Sequence, residues 1–210
     1  MKAVDTKTRI LNAAETLFAA KGPNATSLRQ IISKAKVNLA AIHYHFGSKE
    51  SLLEAVLARR LVPLNAERLA LLGDYERQAG KRIVPLSKVL EAMVGPALRL
   101  SQDAERGGGQ FMRLLGRCVL EPDDRIQGLL NNQFHYVLER FTPALKRALP
   151  KLSPEDFLWR IHFLVGSMAH TMADSERLQM LSGGLCDPSD TEGMVRRLVA
   201  FLEGGMKAKS

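Results

Sequence analysis

Residues 26–53 read TSLRQIISKAKVNLAAIHYHFGSKESLL, and this stretch decides the fold. Ser27 and Gln30 have the serine-x-x-glutamine spacing of a capping box, which satisfies free backbone N–H groups at the start of a helix. Asn38 is suited to cap a second short helix, and Gly47 is suited to end it. Two short helices joined by a tight turn predict a helix-turn-helix, the unit that offers its second helix to the major groove of DNA.

The helix-turn-helix needs a third helix, because two short helices cannot bury enough apolar surface to be stable. Residues 5–21 supply it, since their apolar side chains recur at helical spacing and Gly22-Pro23 follows them. A further helix is expected to begin after Ser48. We predict that the core of this N-terminal domain consists of Leu17, Phe18, Leu28, Ile31, Ile32, Val37, Ile42, Phe46 and Leu52.

The net charge is concentrated at the N-terminal end of the chain. The 210 residues carry a formal charge of +8, and residues 1–60 contribute +6 of it through ten Lys and Arg against four Asp and Glu. A basic first quarter on a nearly neutral remainder is typical of a protein that binds a polyanion. A solvated basic face would have the same charge, so it is the helix-turn-helix pattern that favours nucleic acid.

The whole chain predicts an all-α protein with about nine or ten helices, because apolar residues recur at helical spacing and no alternating strand pattern persists. We expect an N-terminal helix-turn-helix domain, residues 1–50, and a larger helical C-terminal domain, residues 51–210. No apolar run is long enough for a transmembrane helix or a signal peptide, so we expect a cytoplasmic protein without a membrane partner. Cys118 and Cys186 match no metal or redox spacing, and we expect no cofactor.

The second helix of the motif presents small and polar side chains on one face. Val37, Ile42 and Phe46 are expected to point into the core, which turns the remaining residues toward the DNA. Hydroxyl and cationic side chains nearby would contact phosphates, which position a protein without specifying sequence, although Arg29 is equally suited to a guanine. The predicted DNA-binding residues are Thr26, Ser27, Arg29, Lys36, Asn38, Leu39, Ala40, His43, Tyr44 and Lys49.

The histidines of this helix do not predict a metal site. His43 and His45 are two residues apart, a spacing that turns them to different sides of a helix. No third ligand lies nearby in the sequence, whereas zinc sites use three or four. We therefore expect no bound metal.

The segment Val37–Leu52, VNLAAIHYHFGSKESL, resembles the DNA-binding signature of the TetR family, and the resemblance covers roughly residues 6–55. It implies a homodimeric transcriptional regulator, most often a repressor, that binds a double-stranded DNA operator and responds to a small effector. Two positions depart from the family pattern. Lys36 stands where the family usually has glycine, which costs about 1 kcal/mol if the turn needs a positive φ. His43 stands where the family often has tyrosine.

The C-terminal part is similar to a narrower branch of the family, the PsrA-like regulators, which respond to fatty acids. The similar segments are residues 111–116, 159–163 and 197–202, the last followed by Gly205-Met206. This resemblance implies a small apolar effector such as a long-chain fatty acid or an acyl-CoA. It also implies a homodimer formed through the last two predicted helices, the one that contains residues 157–172 and the one from about Asp190 to Met206.

An apolar effector would need a cavity between helices. Met and aromatic residues at helical spacing are more often plain core, and it is the resemblance that favours a pocket. The predicted lining residues are Phe111, Met112, Leu115, Phe134, Leu138, Trp159, His162 and Phe163. Arg113, Arg117 or His162 would then meet the carboxylate or thioester head group.

Two other functions are compatible with the pattern. One is a constitutive dimeric DNA-binding protein, in which the C-terminal domain serves dimerisation and binds no effector. The other is an all-α acyl-processing enzyme that uses His162 or His170 with a nearby acid. No pairing of a nucleophile with a base supports the second alternative, so we expect no enzymatic activity.

Overall fold

The computed structural model describes residues 5–173 and 175–208, which form ten helices and no strand, as the sequence predicts. No helix in these ranges is both long and apolar enough to cross a membrane. In chain order the helices are α1 (Thr6–Lys21), α2 (Leu28–Ala35), α3 (Leu39–Phe46), α4 (Lys49–Ala79), α5 (Leu86–Gln102), α6 (Gly108–Leu120), α7 (Asp124–Ala148), α8 (Pro154–Ala173), α9 (Ser175–Leu181) and α10 (Thr191–Lys207).

Two compact units make up the chain. The first contains the described residues up to Pro63 together with Gln110–Gln133, and the second contains Leu64–Gly109 and the residues from Phe134 onward. The long helix α4 continues through Pro63, which lies inside it, although proline removes a backbone hydrogen bond and bends a helix. The functional border expected at residue 50 stays a prediction.

In the first unit, α1, α2, α3 and the start of α4 form the core around the helix-turn-helix, and α6 adds further buried residues. Four of the nine predicted core residues are fully buried: Phe18, Ile31, Ile42 and Leu52. The other five are half-buried. Three of them lie on the eight-residue helices α2 and α3, which leave one flank of each apolar side chain near solvent, one lies on α1 and one in the turn. The half-buried residues are Leu17, Leu28, Ile32, Val37 and Phe46.

A buried ion cluster ties α1 to α4 in the first unit. Glu15 is only 2% exposed, and its carboxylate pairs with Arg59 and with Arg60, the latter at 3.1 Å. Arg59 also donates to the side-chain oxygen of Asn12 at 2.7 Å. A buried carboxylate is tolerated when cations and hydrogen bonds compensate it, and two arginines do so here.

The turn between α2 and α3 has a left-handed backbone conformation. Lys36 has φ 52° and ψ 52°, so lysine occupies the kind of position that favours glycine. Its N–H donates to the carbonyl of Ser33, and the N–H of Val37 donates to that of Ile32, which is a Schellman arrangement. The guanidinium of Arg9 donates to the carbonyls of Ala35 and Lys36 at 2.6 and 2.7 Å, which holds this turn against α1.

The second unit is organised around α5, which is buried along most of its length and packs against α10. Arg99 of α5 donates to both carboxylate oxygens of Glu192 at the start of α10, at 2.6 and 3.0 Å. This partner lowers the pKa of Glu192 below its usual range. Arg160 of α8 donates to the carbonyl of Met206 at 2.6 Å and so joins α8 to the other end of α10.

Replacing Glu15 by glutamine should destabilise the protein by about 3 kcal/mol, near the low end for breaking a buried ion pair, because both arginines are partly exposed. Urea denaturation followed by circular dichroism measures the effect. Glu54, exposed on α4, is the matched control, and Glu54→Gln should change the free energy of unfolding by less than about 0.5 kcal/mol. Equal effects of the two substitutions would show that the cluster contributes no stability.

Replacing Lys36 by glycine should stabilise the protein by about 1 kcal/mol, because glycine adopts the left-handed conformation without the Cβ penalty. Lys34 is an exposed residue inside α2, and Lys34→Gly should instead destabilise the protein by about 1 kcal/mol through lost helix propensity. The midpoints of urea denaturation give both changes. A loss of stability in Lys36→Gly would mean that the turn is not strained.

Candidate nucleic-acid interface and effector site

The second helix of the helix-turn-helix, α3, is delimited by the residues that the sequence indicates. The side chain of Asn38 accepts a hydrogen bond from the N–H of Ala41 at 2.9 Å and so caps the start of the helix. Gly47, with φ 75°, ends the helix, and its N–H donates to the carbonyl of His43. Ser27 and Gln30 form both hydrogen bonds of the predicted capping box at the start of α2.

One face of α3 is open to solvent. Ile42 is fully buried, whereas Tyr44 is 85% and Leu39 is 49% exposed. Ala40, His43 and Asn38 are exposed on the same helix or at its cap. The ring of His43 contacts the carbonyl of Gly47 at 2.9 Å, which fixes the orientation of the ring. An exposed face with two large apolar side chains and a small one between them is suited to contact another molecule.

Three further predicted DNA-binding residues lie on the surface around α3. Ser27 caps α2, Arg29 lies in its first turn, and Lys36 follows its last residue, and all three are exposed. They bring one hydroxyl and two cations to the helix-turn-helix. This combination fits contacts with phosphate oxygens.

Thr26 has a different position from the one that the sequence suggests. It is 1% exposed, and its hydroxyl donates to the carbonyl of Gly22 at 2.8 Å. The side chain is therefore used inside the unit, where it holds the α1–α2 loop, and it is not available to a phosphate. The phosphate contact predicted for Thr26 stays a prediction, which its buried hydroxyl does not support.

Lys49 is half-buried at the start of α4, and its ammonium group is engaged inside the unit. The ammonium donates to the carbonyl of Thr26 at 2.8 Å and lies 3.5 Å from that of Asn24. It thereby fastens the start of α4 to the loop before α2. One of its three N–H donors remains for a phosphate.

The predicted effector-binding residues fall into two groups. Phe111, Met112 and Leu115 are buried core residues of α6 in the first unit. The other five belong to the second unit, where Phe134 is half-buried and the remaining four, Leu138, Trp159, His162 and Phe163, are exposed. Trp159 stacks on Phe163 at a ring distance of 5.9 Å, and His162 meets both rings edge-on.

A cavity of about 490 Å³ lies in the second unit, and none of the eight predicted residues lines it. Its wall comes from the end of α8, from α9, from the loop 182–190 and from α10. The exposed Cys186 lies at this cavity, whereas burial raises the pKa of the Cys118 thiol to about 12. The residues of the wall are His170, Thr171, Leu178, Leu185, Cys186, Asp187, Pro188, Asp190, Met194, Arg197 and Leu198.

An apolar surface extends over α8 and α10 of the second unit. Trp159 and Phe163 on α8 are 55% and 59% exposed, and Phe201 on α10 is 69% exposed. A groove of about 230 Å³ runs between the two helices and is lined by Phe163, Leu164, Phe201 and Leu202, among others. Monomeric proteins seldom expose contiguous apolar surfaces of this kind, so it indicates an interface.

Among the described residues, two buried charges were not predicted from the sequence, Glu15 of α1 at 2% exposure and Arg68 of α4 at 4%. The sequence contained a signal that Arg68 is buried. This residue lies four residues after Leu64 and four before Leu72, two buried leucines of the same helix. A lone cation on the apolar stripe of a helix needs an explanation in the structure.

Similar proteins support the interpretation of this helix-turn-helix as part of a transcriptional regulator. A stretch of 48 residues is 52% identical to an HTH-type transcriptional repressor of Mycobacterium tuberculosis and covers 23% of this chain and 26% of that protein. The HTH-type transcriptional regulator SrpR of Pseudomonas putida is 40% identical over 148 residues, which cover 70% of this chain and 61% of SrpR.

A solved structure extends the likeness over nearly the whole chain. FadR from Bacillus subtilis in complex with stearoyl-CoA superposes with a TM-score of 0.64 at 13% identity and covers 94% of this chain and 98% of FadR. At this identity the likeness concerns the fold alone.

Two family models match the chain. Residues 10–56 match the bacterial regulatory proteins of the tetR family, and residues 91–205 match the tetracyclin repressor-like C-terminal domain. The second match alone covers more than half of the 210 residues. The chain therefore belongs to the TetR family of bacterial regulatory proteins.

Proposed function

We propose that this protein is a homodimeric transcriptional repressor that binds an operator in double-stranded DNA and is released by a small apolar effector. The observation that carries the proposal is the geometry of α3. Ile42 anchors this helix in the core, while Leu39, Ala40 and Tyr44 face solvent. The helix is thus held rigidly and offers a contact surface of the size that enters a major groove.

The surrounding residues divide into base-reading and positioning groups. Leu39 and Ala40 would contact thymine methyl groups or base edges, since both are exposed in the first turn of α3. Ser27, Arg29 and Lys36 would bind phosphates and set the position of α3 on the duplex. Asn38 caps α3, and Tyr44 and His43 extend the exposed face toward the backbone.

Dimerisation is proposed through α8 and α10. Two copies of their exposed aromatic surface would form a four-helix interface with two-fold symmetry, which buries Trp159, Phe163 and Phe201. Each protomer would then present one α3, and a two-fold dimer reads two half-sites at a fixed spacing.

The effector is proposed to be a fatty acid or an acyl-CoA that binds in the second unit. The resemblance to PsrA-like regulators supports this choice, as does the shared fold with FadR, a protein that binds stearoyl-CoA. Helix α4 would connect effector binding with the release of DNA, because it is continuous from the first unit into the second. A change in the separation of the two α3 helices would lower DNA affinity, and a coupling of about 1–3 kcal/mol is sufficient.

The proposal is tested by a gel shift with the DNA upstream of the protein's own gene, in the presence and absence of decanoate and decanoyl-CoA. Binding that an acyl compound abolishes is the expected result. Binding that no acyl compound affects would remove the effector and leave a constitutive DNA-binding dimer. Absence of specific DNA binding would remove the regulatory function itself.

Replacing Ala40 by leucine should weaken binding to this DNA by tenfold or more, about 1.4 kcal/mol, because the larger side chain prevents close approach to the base edges. The matched control is Ala70→Leu, at an exposed position of α4 outside the helix-turn-helix. Fluorescence anisotropy gives both affinities. Equal affinities of the two variants would exclude α3 as the reading helix.

Replacing Phe201 by glutamate should convert the dimer into a monomer, because it places a charge in an apolar contact at each half of a symmetric interface. Light scattering after gel filtration measures the mass. Leu120, an 83% exposed residue of α6, provides the control, and Leu120→Glu should remain dimeric. A dimer that persists in Phe201→Glu would exclude this interface.

A further inference from the structure

Arg68 is a buried cation of the second unit, and no described residue gives it a carboxylate partner. Its Nε donates to the carbonyl of Met93 at 2.8 Å, and Nη1 donates to the side-chain oxygen of Asn65 at 3.1 Å. Its Nη2 meets only the sulfur of Met168, at 3.9 Å. Within the described part of the chain, no carboxylate oxygen lies within 4.0 Å of the guanidinium.

The energetics of this arrangement are unfavourable for a group with a purely structural role. Burial lowers the pKa of Arg68 to about 10, so the guanidinium is still charged at neutral pH. A charge removed from water needs an opposite charge and filled hydrogen bonds to compensate it. The chain provides such compensation for Glu15, which has two arginines, but offers Nη2 only a thioether, a weak acceptor.

Two half-buried apolar side chains, Phe134 and Met168, lie beside the guanidinium of Arg68. The ring of Phe134 lies 6.0 Å from the guanidinium carbon. Leu138, one turn further along α7, is 48% exposed. Methionine is unbranched and changes rotamer easily, so Met168 can leave Nη2 without displacing a helix.

We propose that Arg68 anchors the carboxylate of the effector, with the alkyl chain of the effector lying along Phe134 and Leu138. The carboxylate accepts a hydrogen bond from Nη2 in place of the Met168 sulfur and supplies the missing negative charge. This inference rests on the proposed function, and it specifies the effector as a free carboxylic acid. A thioester has a neutral carbonyl at the corresponding position, so acyl-CoA would not compensate the charge.

The cations expected from the sequence are less suited to this role. Arg113, Arg117 and His162 are all exposed, so water already solvates their side-chain nitrogens. A carboxylate gains more from a desolvated cation, because hydrogen bonds between ionised groups strengthen when water is excluded. The anchor is therefore Arg68, where α4 contacts a backbone carbonyl of α5 and side chains of α7 and α8.

Isothermal titration of the full chain with decanoate, decanol and decanoyl-CoA tests the inference. Decanoate should bind at least about tenfold more tightly than decanol, because only decanoate forms a charge-assisted hydrogen bond. Equal affinities for decanoate and decanol overturn the anchor but leave an apolar effector in place. Tighter binding of decanoyl-CoA than of decanoate overturns it as well. If none of the three compounds binds, the proposed acyl effector fails together with the anchor.

The Arg68→Met variant tests whether Arg68 is the residue that makes the protein prefer decanoate to decanol. The variant should fold, since replacing an uncompensated buried charge by an apolar side chain of similar length is often neutral or stabilising. It should bind decanoate and decanol within about twofold of each other, because both then contribute only apolar contacts. Arg106→Met, which removes an exposed cation of the same unit, should retain the preference of the unchanged protein.

If Arg68 has only a structural role, the affinities for decanoate and decanol change in a different way. Decanol binding would then fall as much as decanoate binding in Arg68→Met, which overturns the anchor. Circular dichroism establishes whether the variant is folded. If it is not, the decanoate-to-decanol ratio of the unchanged protein alone decides the question.

Discussion

The carboxylate of Glu15 is the point on which the arrangement of the first unit depends. It is buried between two arginines of α4, so α1 cannot move away from α4 without leaving three charged groups uncompensated. Six residues earlier on the same helix, Arg9 holds the carbonyls at the end of α2. Helix α1 thus connects the turn of the helix-turn-helix with the long helix that continues into the second unit. In the proposed switch, this connection makes α2 and α3 follow α4.

The strained backbone at Lys36 lies next to hydrogen bonds that stabilise the same turn. Lys36 has a left-handed conformation that disfavours a side chain, and the carbonyls of that turn accept two hydrogen bonds from Arg9. The charge of Lys36 lies at the exposed edge of α2, where the proposed complex needs a cation. The chain therefore retains a residue of unfavourable local geometry at a position where a phosphate contact is proposed, as functional sites often do.

Local spacing predicts most of the first unit, because caps depend on residues within one helical turn. The capping box of Ser27 and Gln30 and the role of Asn38 are all present. Burial was harder to predict, since Thr26 is covered by contacts with the preceding helix and not by its own neighbours. In the second unit, helical periodicity identified Trp159 and Phe163 as apolar, but it does not tell whether an apolar stripe faces the core or a partner. Arg68 is held by a backbone carbonyl of α5 and by side chains of α7 and α8, and no pattern within α4 reveals these partners.

Helix α3 contains no lysine or arginine, since its sequence is LAAIHYHF. The cations of the proposed interface belong to α2, to the turn that follows it and, through Lys49, to the start of α4. In the complex, the electrostatic attraction to DNA and the reading of its sequence would therefore reside on different elements. Such a separation allows the operator sequence to change through substitutions in α3 alone, while the salt-dependent part of the affinity is preserved. The same division makes α3 the segment to exchange when a regulator of this kind is directed to a new operator.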